Sequence, residues 1–137
     1  MMIQNCEAFN MNKPARILTV DDDPVLRVHV TSSLKKFYEV KSVSSAKEAM
    51  DYLSENNVDL LILDVCMPEM DGIEFYKWAQ KNPSTKDVPA IFLTGVEDDN
   101  VLQTVIKTNA NDYLNKPISP SELLEHVKNQ LESHSKK

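Results

Sequence analysis

From Arg16 onward, short apolar runs alternate with amphipathic stretches, and the alternation continues to Leu131. Ile17-Leu18-Thr19-Val20 is strand-like and leads into Asp21-Asp22-Asp23-Pro24, where aspartate suits a helix N-cap and proline the first helical turn. Leu26, Val30, Leu34 and Phe37 then recur on one helical face. Tyr38 to Val43 predicts a second strand, and Ser45-Ala46-Lys47-Glu48 has the spacing of a capping box ahead of the stripe Ala49, Met50 and Leu53. Leu60-Leu61-Ile62-Leu63 is apolar throughout and too short for an independent helix, a pattern that suits a central strand covered on both faces.

The second half repeats the alternation. Asp64 and the turn-rich Met67-Pro68-Glu69-Met70-Asp71-Gly72 precede a third helix over about Ile73 to Gln80, which Asn82-Pro83-Ser84 ends. Ala90-Ile91-Phe92-Leu93 predicts a fourth strand closed by Thr94-Gly95. Val101, Leu102, Val105 and Ile106 mark a fourth helix, and Asp112-Tyr113-Leu114 a short fifth strand. Ser119-Pro120-Ser121-Glu122 opens a last helix that buries Leu123, Leu124, Val127 and Leu131. Regular strand–helix alternation implies an α/β fold: a doubly wound, five-stranded parallel sheet with right-handed crossovers and helices on both faces. Residues 1–15 lack periodicity and read as an extension, 16–133 as the domain, and 134–137 as a tail.

Composition narrows the functions open to such a fold. With a net charge of −6, a nucleic-acid surface is not the default expectation. The beginning of the chain has no signal-peptide pattern, and no apolar run approaches the ~20 residues of a membrane span, so neither nucleic-acid binding nor membrane insertion is expected. Cys6 and Cys66 cannot build a disulfide framework or a zinc cluster, which suits a cytoplasmic location. His29, His126 and His134 stand apart at no ligand spacing and are assigned no role.

Ligands of open parallel sheets bind outside the carboxyl ends of the strands. Here those ends carry Asp21-Asp22-Asp23, Asp64, Thr94 and Lys116. Clustered carboxylates repel one another, and a hard cation such as Mg²⁺, which takes oxygen ligands and keeps waters, is the natural remedy. A strand-end carboxylate can act as a nucleophile toward phosphorus. The charge on the transferring oxygens then needs a metal, an ammonium and a hydroxyl, which Asp22, Lys116 and Thr94 can supply. Asp23 reads as a helix cap rather than a ligand, and Phe75, Trp78, Met67 and Met70 read as packing.

Leu18-Thr19-Val20-Asp21-Asp22, Asp64-Val65-Cys66-Met67-Pro68-Glu69-Met70-Asp71-Gly72, Leu93-Thr94-Gly95 and Asp112-Tyr113-Leu114-Asn115-Lys116-Pro117 together resemble the signature of bacterial two-component response-regulator receiver domains, of the chemotaxis-regulator type. The resemblance runs from about Arg16 to Leu131 and implies a flavodoxin-like strand order, 2-1-3-4-5. It implies Asp64 as phosphoacceptor, Asp22 as direct metal ligand, Asp21 as a carboxylate acting through water, and a Mg²⁺ ligand in the backbone carbonyl of Cys66. It also implies that Thr94 moves to meet the phosphoryl group, with Lys116 beside it, that the Lys116–Pro117 bond is cis, and that the Tyr113 ring follows Thr94. Phosphorylation would then switch the surface of the fourth helix, fifth strand and last helix. The implied partners are a histidine kinase or histidine phosphotransfer protein, a downstream effector or attached output domain, and a second copy of the chain.

The sequence departs from that pattern in places. Asn109 replaces a frequent glycine without consequence, because asparagine tolerates positive φ. Gly95 stands where alanine is common and would loosen the Thr94 loop. Cys66 and Val96, two residues beyond Asp64 and Thr94, orient water less well than an acid or amide, which implies slow aspartyl-phosphate hydrolysis. Two other readings compete. A haloacid-dehalogenase-type phosphatase also uses a strand-end aspartate, but it needs a second aspartate where Cys66 stands. A phosphorylation-independent interaction domain would not need Asp21, Asp22, Asp64, Thr94 and Lys116 all present.

Overall fold

The computed structural model describes residues 14–65, 67, 69–95 and 112–135. Five parallel strands form one sheet: β1 (Arg16–Val20), β2 (Glu39–Val43), β3 (Leu60–Asp64), β4 (Ala90–Thr94) and β5 (Asp112–Asn115). Their spatial order is β2-β1-β3-β4-β5, the expected doubly wound arrangement. The described helices are α1 (Pro24–Leu34), α2 (Ala46–Leu53), α3 (Gly72–Lys81) and α4 (Pro120–Ser135), the last being the predicted C-terminal helix. The helix expected around Val101 to Ile106 lies outside the described residues, as do Cys66, Val96, Asn109 and most of the N-terminal extension.

The sheet has an apolar core on each face because alternate residues of the inner strands point opposite ways. Leu18, Val20, Leu61, Leu63, Ala90 and Phe92 meet Ala49 and Leu53 of α2 and Phe75, Tyr76 and Ala79 of α3. Ile17, Leu60, Ile62, Ile91, Leu93 and Leu114 meet Val30 and Leu34 of α1 and Leu123 and Val127 of α4. Every residue of β3 and β4 is buried, as their unbroken apolar runs require. Phe75 and Trp78 stack obliquely at 5.5 Å, and Met67 and Met70 pack against the first core.

Local chemistry explains the helix boundaries, with two corrections to the sequence reading. Asp23 caps α1 by accepting from the Val25 N–H. Phe37 does not extend the α1 stripe. The helix ends at Leu34, and the N–H groups of Phe37 and Tyr38 both return to the Leu34 carbonyl, which turns the chain and leaves Phe37 58% exposed. At α2 the capping box is split. Ser45 Oγ accepts from the Glu48 N–H, but the Glu48 carboxylate accepts from the backbone and hydroxyl of Ser44 instead. The complete reciprocal box is at α3, between Asp71 and Glu74, a pairing the sequence reading did not single out.

Two histidines read as isolated have partners across the fold. The His29 ring on α1 donates through Nε2 to the Ile118 carbonyl at 2.6 Å, and His126 on α4 pairs through Nδ1 with the Asp112 carboxylate at the start of β5. Sequence spacing could not show either, since 89 and 14 residues separate the partners. Both groups of the His126–Asp112 pair are partly shielded from solvent. A double-mutant cycle of His126→Ala and Asp112→Ala, followed by urea unfolding, should therefore return a coupling of about 1 kcal/mol; purely additive losses would show that the pair ties nothing together.

Candidate functional site

Adjacent parallel strands bring the sequence-predicted residues to one edge. Val20 and Leu63 are register partners on β1 and β3, so Asp21 and Asp64 emerge side by side. Leu93 of β4 is the register partner of Asp64, and Thr94 is that of Asn115 on β5, with Lys116 following directly. One carboxylate oxygen from each of Asp21, Asp22 and Asp64 lies within 4.8 Å of the others. Asp21 and Asp64 are buried, whereas Asp22 is exposed at the mouth.

Neighbouring groups hold each member in place. Lys116 Nζ donates to Asp64 Oδ1 at 3.0 Å, a charge-assisted bond to a carboxylate that is only 3% exposed. The peptide bond from Lys116 to Pro117 is cis. Asp21 Oδ1 accepts from the Asp23 N–H at 2.9 Å, and its backbone carbonyl accepts from the Arg27 guanidinium at 2.7 Å. Asp21 Oδ2, by contrast, is buried with no hydrogen-bond partner among the described residues. Thr94 is 1% exposed, and its hydroxyl donates to Asn115 Oδ1 at 2.8 Å. Tyr113 is 39% exposed on β5. The Cys66 carbonyl, expected at the same edge, lies outside the described residues.

Electrostatics at this edge favour a cation. Burial pushes the Asp21 carboxyl from 3.8 up to about 7; the Asp23 N–H acts against this, the Asp64 charge adds to it, and Lys116 offsets part. Three carboxylates gather beside the Lys116 ammonium, and Asp21 Oδ2, without a partner among the described residues, is the kind of buried acceptor a metal ion or its water satisfies. The acidic cluster thus has the chemistry of a metal-binding pocket.

Three contributors escaped the sequence reading. Gly72, the first residue of α3, was read only as a turn residue. Its N–H donates to the Val65 carbonyl, and a Cβ there would sit 2.2 Å from the Asp64 carbonyl oxygen. The glycine therefore lets a helix N-terminus close against the backbone of Asp64, without any need for positive φ. Arg27 and Asn115 act across turns and strands, on Asp21 and Thr94 respectively. The only sequence signal for Asn115 is its place beside Lys116 in a motif already noted.

A family model described as "Response regulator receiver domain" matches residues 17–128. The chain is 34% identical over 119 residues to the cyclic di-GMP phosphodiesterase response regulator RpfG of Xanthomonas campestris, covering 85% of this chain and 32% of that protein. It is 38% identical over 112 residues to an uncharacterized 14.6 kDa protein in the sodA1 3' region of Leptolyngbya boryana, covering 81% and 86% of the two chains. The crystal structure of a signal receiver domain from a signal transduction histidine kinase of Syntrophus aciditrophicus is similar at a TM-score of 0.80 and 33% identity, over 87% of this chain and 91% of that one. The chain thus spans about a third of one curated relative and most of another. Among the described residues, no helix is long and apolar enough to cross a membrane.

Two outcomes follow from this geometry. Because the Asp21 pKa is raised on folding, the unfolded chain binds fewer protons than the native one between its two pKa values, and ionising Asp21 lowers stability. In chelator, Asp21→Asn should gain stability relative to wild type as pH rises from 3.8 to about 7, and a divalent cation should cancel that gain. Denaturant titrations across that range check it, and a pH-independent difference would refute the assignment. Gly72→Ala should cost about 1–3 kcal/mol, because the clash is with backbone that cannot swing aside; an unchanged unfolding midpoint would refute the close-approach explanation.

Proposed function

The chain belongs to the response regulator receiver domain family, and on that premise we propose that Asp64 is its phosphoacceptor. The observation that carries the proposal is the Asp64 carboxylate, buried at the sheet edge between an acidic cluster and the Lys116 ammonium at 3.0 Å. Residues 16–133 are taken as the working unit, flanked by the extension 1–15 and the tail 134–137.

In the proposed reaction an Asp64 carboxylate oxygen attacks the phosphorus of a phosphohistidine on a histidine kinase or histidine phosphotransfer protein. An O–P bond forms, the P–N bond breaks, and the imidazole leaves with the electron pair. Asp22, Asp64 and the Cys66 backbone carbonyl would hold Mg²⁺, with Asp21 acting through water, and the ion would neutralise charge on the transferring oxygens. Lys116, already on Asp64 Oδ1, follows the charge onto the phosphoryl oxygens. Thr94 turns its hydroxyl toward them, and Tyr113, beside it on β5, follows. The chain's own residues thus catalyse phosphorylation and dephosphorylation of the chain, with no turnover of an outside substrate.

The switched surface comprises the fourth predicted helix, β5 and α4. It would report to a downstream effector, an attached output domain or a second copy of the chain. The reading includes a cytoplasmic location, in keeping with a two-cysteine chain that builds no disulfide framework.

Intact-mass spectrometry after incubation with Mg²⁺ and acetyl phosphate tests the proposal. A single phosphoryl adduct is expected that requires the metal and vanishes in Asp64→Asn, and its decay also tests the slow hydrolysis expected from Cys66 and Val96. Failure to form an adduct with acetyl phosphate or with histidine kinases would leave a phosphorylation-independent interaction domain. Steady release of phosphate from a small ester would instead favour the phosphatase reading.

A further inference from the structure

Thr94 and Asn115 close the last rung between β4 and β5, where they are register partners. Just beyond them the Lys116 N–H donates to the Thr94 carbonyl at 2.7 Å, so both backbones are fixed. The Thr94 hydroxyl donates to Asn115 Oδ1 at 2.8 Å. Packing does not account for the choice of Asn115: the residue is exposed, and asparagine is a poor strand former. What its side chain does in this structure is accept the proton of a hydroxyl that is otherwise buried.

A hydroxyl carries one proton and donates one strong hydrogen bond at a time. In the proposed function that proton must reach a phosphoryl oxygen on Asp64. The Asn115 carboxamide and the phosphoryl group therefore compete for the same donor. We infer that Asn115 is a positioning residue, a latch that holds the Thr94 hydroxyl in the unphosphorylated state and sets the balance between the two states. This rests on the phosphoacceptor reading of Asp64.

The direction of the effect follows from which state contains the bond. Removing Asn115 takes an interaction away from the unphosphorylated state alone, so the phosphorylated arrangement gains by comparison. The net worth of one such hydrogen bond corresponds to roughly two- to tenfold in an equilibrium constant. A residue that only supported the strand end would not act through the Thr94 hydroxyl, and a double-mutant cycle separates the two cases.

The probe is beryllofluoride, a reversible mimic of a phosphoryl group on a carboxylate, titrated with Mg²⁺ by isothermal calorimetry. The proteins are wild type, Asn115→Ala, Thr94→Val and the double variant, with Asn115→Val as a second, strand-favouring replacement. Asn115→Ala and Asn115→Val should each bind beryllofluoride roughly two- to tenfold more tightly than wild type, and neither replacement should change affinity once Thr94 is valine. Unchanged or weaker binding in the Asn115 variants would overturn the latch, as would equal tightening in the Thr94→Val background. Wild type that binds no beryllofluoride and forms no adduct with acetyl phosphate would overturn the phosphoacceptor reading, and the latch with it.

Discussion

Three carboxylates held within 4.8 Å of one another, two of them buried, form an arrangement that their own repulsion opposes. The two buried ones stay together because each is fastened to backbone that cannot give. Asp64 ends a strand whose five residues are all buried, and Asp21 follows a strand paired on both sides. The cores on the two faces of the sheet therefore supply the stiffness that keeps the charges together. Strand order matters as much as strand content: β1 and β3 are neighbours, so their two terminal aspartates are neighbours too.

The surroundings moderate the repulsion in different ways. Lys116 brings a countercharge onto Asp64, and the Asp23 N–H and the Arg27 guanidinium bond to the carboxylate and the carbonyl of Asp21. Burial of Asp21 nonetheless outweighs these, and its carboxyl holds a proton well above the usual carboxylate range. Such an acidic cluster has the chemistry of a pocket for a divalent cation. Gly72 brings the start of α3 against the Asp64 backbone, which ties the position of that carboxylate to the packing of the helix.

The contacts on the side of the site bearing Thr94 are of another kind. Asp64 and Lys116 are joined directly, whereas the Thr94 hydroxyl is engaged with Asn115 on the neighbouring strand. The exposed Tyr113 lies two residues before Asn115 on the same strand. One hydroxyl and one strand thus join the edge that carries Asp64 to the exposed surface of β5. Relatives of very different length contain this unit: the chain spans 32% of the Xanthomonas regulator and 86% of the Leptolyngbya protein.

The sequence by itself determined the order of the described elements, the parallel sheet and the residues at the strand ends, because apolar runs of strand length and helix-capping residues are local signals. Ile17 to Val20, Leu60 to Leu63 and Ala90 to Leu93 are strands in the structure as read; Asp21, Asp22, Asp64 and Thr94 followed from their positions after such runs, and Lys116 from its place after the short fifth strand. Phe37 was misplaced because a turn rotates it off a stripe that spacing alone extends. Only the tertiary structure decided that His29 meets Ile118, that His126 meets Asp112, that Gly72 must lack a side chain and that Asn115 holds Thr94. Each of these depends on the distance between elements far apart in the chain, and that distance is set by packing rather than by any local pattern.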